Sequence, residues 1–144
     1  MMPKPATMVD KRNILLIEDN PSDVFLVREA LTQHDVDVDL MVLSNCELAL
    51  AYLDSVDTDD TRRLPDLAMV DLKLPRGDSA DILKRIRSSP KFGHIPIIVL
   101  TGSEAPEDRA SVAGLGSSVF FRKPTTNLDE FLRLGSIVKR LLEG

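Results

Sequence analysis

One carboxylate in the sequence lies where a buried strand has no structural use for it. The apolar residues 67–70 end on Asp71, and Pro75 follows four residues later. Burying an ionised carboxylate is costly unless a partner compensates its charge. The plain alternative is that Asp71 caps a helix or forms a turn. We interpret Asp71 as the residue that does the chemistry of the protein.

Further polar side chains follow apolar runs in the same way. Glu18-Asp19, Thr101 and Lys123 each terminate or closely follow such a run. Short runs rich in β-branched residues are typical of parallel strands that are buried on both faces. The carboxyl ends of parallel strands lie at one edge of an open sheet, where ligands bind. We therefore expect these side chains to meet Asp71 there.

Helical segments alternate with the apolar runs. Asn20 and Pro21 supply a helix cap and a first-turn residue after the first run. The fourth helix is the least apolar and should be the least stable. The chain predicts an α/β fold with a single doubly wound, five-stranded parallel sheet and helices on both faces. The strands are predicted over residues 14–17, 36–43, 67–70, 96–100 and 118–121, and the helices begin near residues 21, 46, 78, 106 and 127.

Composition limits the classes of partner. The chain has 144 residues and a net charge of −5, which disfavours nucleic acid and anionic membrane surfaces as partners. Its single cysteine, Cys46, excludes an internal disulfide, and no apolar run reaches the roughly 18 residues of a membrane helix. We expect a cytoplasmic protein with a flexible N-terminal tail over residues 1–12 and one folded domain over residues 13–144.

The polar groups at the sheet edge predict phosphoryl chemistry. Three crowded carboxylates repel one another unless a cation neutralises them. Oxygen ligands without His or Cys favour a hard ion such as Mg²⁺, which also binds phosphate oxygens. Lys123 and Thr101 add an ammonium and a hydroxyl that can hold phosphoryl oxygens. The set is typical of a site where Asp71 attacks a phosphoryl group.

At this point the sequence resembles a known family, the receiver domains of bacterial two-component response regulators. The likeness covers about residues 13–142 and rests on four motifs in order, at residues 17–19, 70–75, 100–102 and 120–124. It implies the flavodoxin-like strand order 2-1-3-4-5. Residues 16–26 and 94–101 are most similar to the stand-alone receivers that are paired with bacterial phytochromes.

The resemblance assigns the metal ligands by position. Asp71 would accept a phosphoryl group from a phosphohistidine of a sensor histidine kinase. Asp19 would bind Mg²⁺ directly, Glu18 through water, and the backbone carbonyl of Lys73 would complete the set. Glu18 departs from the family, in which this position is commonly Asp.

The resemblance also assigns a switch. Lys123 would pair with the phosphoryl oxygens, ahead of a peptide bond to Pro124 that is often cis in the family. The Thr101 hydroxyl would move to the phosphoryl group, and the Phe120 ring would turn inward behind it. Family members usually have Asp-Gly where this chain has Asp78-Ser79, which puts the geometry of the loop after the acceptor in question.

Two apolar features have no evident place in the core. Phe25 lies opposite the buried stripe of its helix, in the region where receivers meet their kinases. On the last helix, a second stripe lies beside the expected core face, and we interpret it as a homodimer contact; a wide core face is the alternative. The second stripe comprises Leu134, Ile137 and Leu141, and the expected core face comprises Leu128, Phe131, Leu132, Val138 and Leu142.

The leading hypothesis is a stand-alone receiver that signals by protein contact and has no enzymatic activity beyond its own phosphoryl transfer and hydrolysis. A phosphorelay intermediate that passes the group to another protein is an alternative. An aspartyl-phosphate phosphatase commonly has a second acid two residues after the nucleophile, where this chain has Lys73. A flavodoxin-like cofactor binder lacks its Gly-rich loop here, and a receiver that has lost phosphorylation would not need the full acid set.

Overall fold

Five parallel strands form one sheet in the order β2-β1-β3-β4-β5, which confirms the predicted topology. The computed structural model describes residues 11–102, 106–124 and 126–144. The strands are β1 (Arg12–Ile17), β2 (Val38–Leu43), β3 (Leu67–Asp71), β4 (Ile97–Thr101) and β5 (Val119–Arg122). The helices are α1 (Pro21–Gln33), α2 (Cys46–Thr58), α3 (Ser79–Arg87), α4 (Pro106–Ala110), α5 (Leu128–Leu132) and α6 (Leu134–Glu143).

Alternate residues of the central strands enter two separate cores. Leu15, Val70 and Val99 pack with α2 and α3 on one face of the sheet. Leu16 and Met69 pack with α1, α5 and α6 on the other. β3 and β4 are buried along their whole length, which explains why they appear in the sequence as continuous apolar runs.

Helices α1, α2, α3 and α5 begin at side-chain caps. Asn20 Oδ1 accepts a hydrogen bond from the Ser22 N–H at 2.9 Å, as the sequence predicts. Asn45, Asp78 and Asn127 cap α2, α3 and α5 in the same way. Because these caps fix where each helix begins, they also fix which side chains of the first turn face the strand ends.

The polar residues 54–63 predict a loop, but helix α2 extends to Thr58, so the first part of this segment is helical. Arg85 of α3 explains this difference. Its guanidinium donates to Asp54 Oδ1 at 2.7 Å and also binds the Asp57 carboxylate. The polar residues at the end of α2 are thus paired with the neighbouring helix.

The predicted N-terminal tail lies almost wholly outside the described residues, and the domain boundaries stay a prediction. Arg12, which the sequence places in the tail, already pairs with Val38 as the first residue of β1. Within the described ranges, no helix has the length and apolarity needed to cross a bilayer.

The C-terminal segment forms two helices where the sequence predicts one. α5 ends at Leu132, and the Arg133 N–H donates to the Glu130 carbonyl in the tighter geometry of a 3₁₀ turn. Leu128, which the sequence predicts in the core, is the first residue of α5 and is 55% exposed. Leu134 is fully buried, which corrects its assignment to a dimer surface; Ile137 and Leu141 are half-buried against the same core.

Gly135 lets α6 lie directly on α1. A Cβ atom at this position would be 2.0 Å from the Ala30 carbonyl oxygen and 2.6 Å from His34 Cδ2. The backbones of two helices can approach this closely only where a side chain is missing. The glycine therefore sets the distance between α1 and the C-terminal helix.

We expect Gly135→Ala to lower the free energy of unfolding by about 2 kcal/mol, because the clash with backbone exceeds the gain in helix propensity. Urea unfolding measures the change. Gly102→Ala is the matched control, since a Cβ there meets no atom within 4 Å. A Gly135→Ala protein as stable as this control would contradict the close contact.

Arg87 holds two loops at the edge of the sheet opposite the strand carboxyl ends. Its Nη1 donates to the Gly93 carbonyl at 2.9 Å and also to the Ile95 carbonyl, and its Nε donates to the Gly116 carbonyl at 3.0 Å. Burial lowers the pKa of Arg87. These hydrogen bonds fix the segment before β5. The short helix α4, which lies earlier in the same connection, buries no side chain.

Candidate functional site

Glu18 and Asp19 leave β1 in different environments. The Glu18 N–H donates to the Leu43 carbonyl at 3.0 Å, so the backbone continues along β2 for one more residue. The Glu18 side chain is buried, with 1% of the residue exposed, whereas Asp19 is exposed. The two adjacent acids therefore reach the site from its inner and outer sides.

Asp71 is the last residue of β3 and is 5% exposed. Its Oδ1 accepts a hydrogen bond from the Lys73 N–H at 3.0 Å. The Ser79 hydroxyl donates to the Asp71 backbone carbonyl at 2.6 Å. Ser79 thus connects the start of α3 to the end of β3. A serine in place of the family's usual glycine is therefore compatible with an ordered loop after Asp71.

The loop after Asp71 requires its displaced glycine. Gly77 has φ +140°, a conformation that side chains disfavour, and a Cβ there would be 2.8 Å from Cys46 Cβ. The Cys46 N–H in turn donates to the Pro75 carbonyl at 3.1 Å. Cys46 is fully buried, as a small core residue should be.

Lys123 joins the site from the end of β5. Its Nζ donates to Glu18 Oε1 at 3.1 Å, to Asp71 Oδ2 at 2.9 Å and to Asp23 Oδ2 at 2.7 Å. The Lys123 backbone N–H donates to the Thr101 carbonyl at 2.6 Å. This bond fixes the backbone position from which the Lys123 side chain extends. The described residues contain no cis peptide bond, so the bond to Pro124 is trans, unlike the form that is frequent in the family.

One ammonium cannot neutralise three carboxylates, so the pKa of the most buried acid, Glu18, is raised. Burial, followed by contact with the carboxyl groups of Asp71 and Asp23, raises the pKa of Glu18 to about 9. Burial also opposes ionisation of Asp71, but hydrogen bonds from Glu18, the Lys73 N–H and Lys123 lower its pKa below the ordinary value. At neutral pH Glu18 is therefore protonated and Asp71 is ionised.

These residues fit a divalent cation. Glu18, Asp19 and Asp71 each offer one carboxylate oxygen, and the three oxygens lie within 4.8 Å of one another. The second oxygen of Glu18, Oε2, is buried and has no hydrogen-bond partner among the described residues. A hard cation would satisfy that oxygen and favour the ionised form of Glu18. The metal role of the Lys73 carbonyl stays a prediction.

The predicted switch residues lie on β4, which is next to β3 in the sheet, and on β5, which is the strand beyond it. Thr101 ends β4 and is buried, while Phe120 is half-buried in β5. The guanidinium of Arg109 in α4 lies 4.4 Å from the centre of the Phe120 ring, a cation–π contact. The switch roles of Thr101 and Phe120 stay predictions.

Sequence reasoning missed Asp23, although it makes the shortest of the three side-chain contacts with Lys123. In the sequence it looks like an ordinary acid in the first turn of a helix. The sequence feature that could have identified Asp23 is its position three residues after the Asn20 cap. This position places Asp23 in the first turn of α1, on the side of the strand ends. The structure brings together all of Glu18, Asp19, Asp71 and Lys123, and it adds Asp23.

Comparisons with known proteins identify the family of the chain. A family model described as response regulator receiver domain matches residues 14–133. Response regulator Rcp1 of Synechocystis sp. is 31% identical over 130 residues, which cover 90% of this chain and 88% of the relative.

Solved structures of similar proteins have the same fold. The Mn(2+)-bound form of Rcp1 is 30% identical with a TM-score of 0.79, covering 92% of this chain and 95% of that one. The phosphorylated cyanobacterial phytochrome response regulator RcpA is 28% identical with a TM-score of 0.79, covering 93% and 95%. The bacteriophytochrome response regulator RtBRR is 28% identical with a TM-score of 0.72, covering 91% and 78%.

Proposed function

This chain belongs to the response regulator receiver domain family, and from that premise we propose that Asp71 accepts a phosphoryl group from a sensor histidine kinase. The observation that carries the proposal is the buried Asp71 carboxylate, whose Oδ2 lies 2.9 Å from the Lys123 ammonium. Glu18 and Asp19 lie beside it with oxygens free to hold a cation.

The chain's own residues supply the nucleophile and its orientation. Because the pKa of Asp71 is lowered, the carboxylate is ionised at neutral pH and has no proton to lose. An Asp71 oxygen attacks phosphorus, the P–N bond of the phosphohistidine breaks, and its electron pair returns to the kinase imidazole. Lys73 N–H and Lys123 Nζ each hold one carboxylate oxygen before the attack. Lys123 then pairs with the phosphoryl oxygens.

We assign the metal site to Glu18, Asp19, Asp71 and the Lys73 backbone carbonyl, and Mg²⁺ is the ion that this oxygen donor set favours. When bound, the cation neutralises charge on the transferring phosphoryl group. The relative Rcp1 is known in an Mn(2+)-bound form, which supports a divalent cation here.

Thr101 and Phe120 would carry the signal to the surface. The Thr101 hydroxyl moves toward the phosphoryl group, and Phe120 turns into the space behind it. Phe120 must leave its contact with Arg109 to do so, which links α4 to the state of Asp71. The output is a changed partner-binding surface in the cytoplasm, without catalysis beyond phosphoryl transfer and hydrolysis at Asp71.

A phytochrome-type kinase is the proposed donor, because the similar proteins include the phytochrome response regulator RcpA. Phe25, 60% exposed on α1, and the exposed Leu128 are apolar residues available for kinase contact.

A relay to another protein uses the same site and stays an alternative. A phosphatase is disfavoured because Lys73 stands where such enzymes have a second acid.

A homodimer through α6 also stays a prediction, in a narrower form. With Leu134 buried, only the exposed parts of Ile137 and Leu141 can contribute to it. Sedimentation tests it, and a monomer at all concentrations would contradict it.

We expect the wild type to gain the mass of one phosphoryl group when it is incubated with a small phosphodonor such as acetyl phosphate and Mg²⁺. Intact mass spectrometry measures the gain. Asp71→Asn should gain nothing, because an amide is a poor nucleophile. Asp39→Asn, which removes an exposed carboxylate on β2, is the matched control and should be labelled like wild type. An unlabelled wild type contradicts phosphoacceptance, and a labelled Asp71→Asn protein contradicts the assignment of the acceptor.

A further inference from the structure

The three carboxylates that bind Lys123 differ in what else they can do. Glu18 and Asp71 belong to the cluster that could hold a metal ion. Among the described residues, Asp23 is outside that cluster, although its Oδ2 is 2.7 Å from Lys123 Nζ. Asp23 is therefore the partner that Lys123 would keep if a cation occupied the other two.

An ammonium has three N–H donors, and Lys123 Nζ makes one hydrogen bond to each of these three acids. A divalent cation at Glu18 and Asp71 would compete for two of these acceptors and repel the ammonium. Yet the proposed chemistry needs Lys123 beside Asp71 while a metal is present. Some other group has to hold the ammonium there.

Asp23 has the properties that this task requires. It lies in the first turn of α1, whose start is fixed by the Asn20 cap, so its position does not depend on the loop after β5. Its side chain is 21% exposed, which keeps water from fully screening the contact with Lys123. A first-turn acid is common for helix stability alone, but that role does not require a lysine 100 residues away as its partner.

We propose that Asp23 is a positioning residue, which retains the Lys123 ammonium beside Asp71 while Glu18 and Asp71 turn to a divalent cation. The inference rests on the proposed function in that it takes the metal site as given. Because Asp23 binds the ammonium, the Glu18 and Asp71 oxygens can bind the metal instead. The same contact keeps the ammonium close to the phosphoryl oxygens.

Mn²⁺ binding to the full chain, followed by the electron paramagnetic resonance of free Mn²⁺, tests this inference. We expect Asp23→Asn to weaken binding about tenfold, because the ammonium then stays on the metal ligands. Glu29→Gln removes another carboxylate from the same helix, six residues further on, and should change binding by less than about twofold. A wild type that takes up no Mn²⁺ would overturn the metal site itself and this inference with it.

A double-mutant cycle separates positioning from a simple charge effect. In a Lys123→Met background there is no ammonium to retain, so Asp23→Asn should change Mn²⁺ affinity by less than about twofold. If Asp23 acts as one more negative charge or as a ligand, its effect persists or grows in that background, and the inference is wrong.

A second measurement does not need the Lys123→Met protein to fold. At saturating Mg²⁺, a lost charge no longer limits metal occupancy, whereas a misplaced ammonium still slows the reaction. We expect Asp23→Asn to be phosphorylated by acetyl phosphate about tenfold more slowly than wild type under these conditions. A rate equal to that of wild type would overturn the positioning role while leaving the phosphoacceptor assignment intact.

Discussion

Replacing Lys123 with methionine should lower the free energy of unfolding of the metal-free protein by about 3 kcal/mol. The side chain is 12% exposed and binds Glu18, Asp23 and Asp71, whose own side chains are 0%, 21% and 7% exposed. Without the ammonium, Asp71 and Asp23 lose the cationic partner that the described residues give them, and they must take up protons or remain charged and unpaired. The loss is large because the charges cannot move into water.

Urea unfolding in EDTA measures this loss, and Mg²⁺ should recover part of it by replacing the missing positive charge. Lys139→Met, which removes an exposed lysine from α6, is the control and should change stability by less than about 0.5 kcal/mol. A Lys123→Met protein as stable as wild type in EDTA would show that the acids do not depend on the ammonium.

The stability of the metal-free protein should fall as pH rises from 6 to 8. Burial, then the neighbouring acids Asp71 and Asp23, raises the pKa of Glu18 from an ordinary 4.5 to about 9. Between these two values the folded protein keeps a proton that the unfolded chain releases, so the free energy of unfolding decreases with pH. The slope is about 1.4 kcal/mol per pH unit. The shifts of Asp71, below 3.8, and of Lys123, above 10.5, lie outside this window.

Saturating Mg²⁺ should abolish this slope, because a cation beside Glu18 keeps it ionised in the folded state as well. The same linkage predicts release of nearly one proton when Mg²⁺ binds at pH 7, measurable by calorimetry in buffers with different ionisation enthalpies. Glu18→Gln is the control: its stability should be flat over this range and its metal binding should release no proton. Proton release that persists in Glu18→Gln would place the proton on another group.

The sheet and the strand-end residues could be predicted from sequence because both depend on local patterns. A strand buried on both faces, such as Leu67–Asp71, has to be apolar throughout, and a carboxylate that ends it is conspicuous. Parallel strands then bring their carboxyl ends to one edge whatever the loops do. The positions of Glu18, Asp19 and Lys123 followed from this rule.

The features that the sequence did not reveal depend on contacts between distant segments. Asp23 is ordinary in the first turn of α1 and becomes a site residue only because Lys123 arrives from β5. In a single continuous helix Leu134 would belong to a second apolar stripe, but the turn at Arg133 rotates it into the core. The contact between Arg109 and Phe120 has no local pattern at all.

The guanidinium of Arg87 can be described in polymer terms as a cross-link. It joins residues 29 positions apart, so the chain from α3 to the start of β5 is a closed loop rather than an open tether. The Arg87 contact at the far edge of the sheet offsets the entropy cost of closing that loop. Helix α4 does not contribute to this, because it buries no side chain. Helix α4 can therefore exchange one set of neighbours for another while the register of β5 against β4 is preserved.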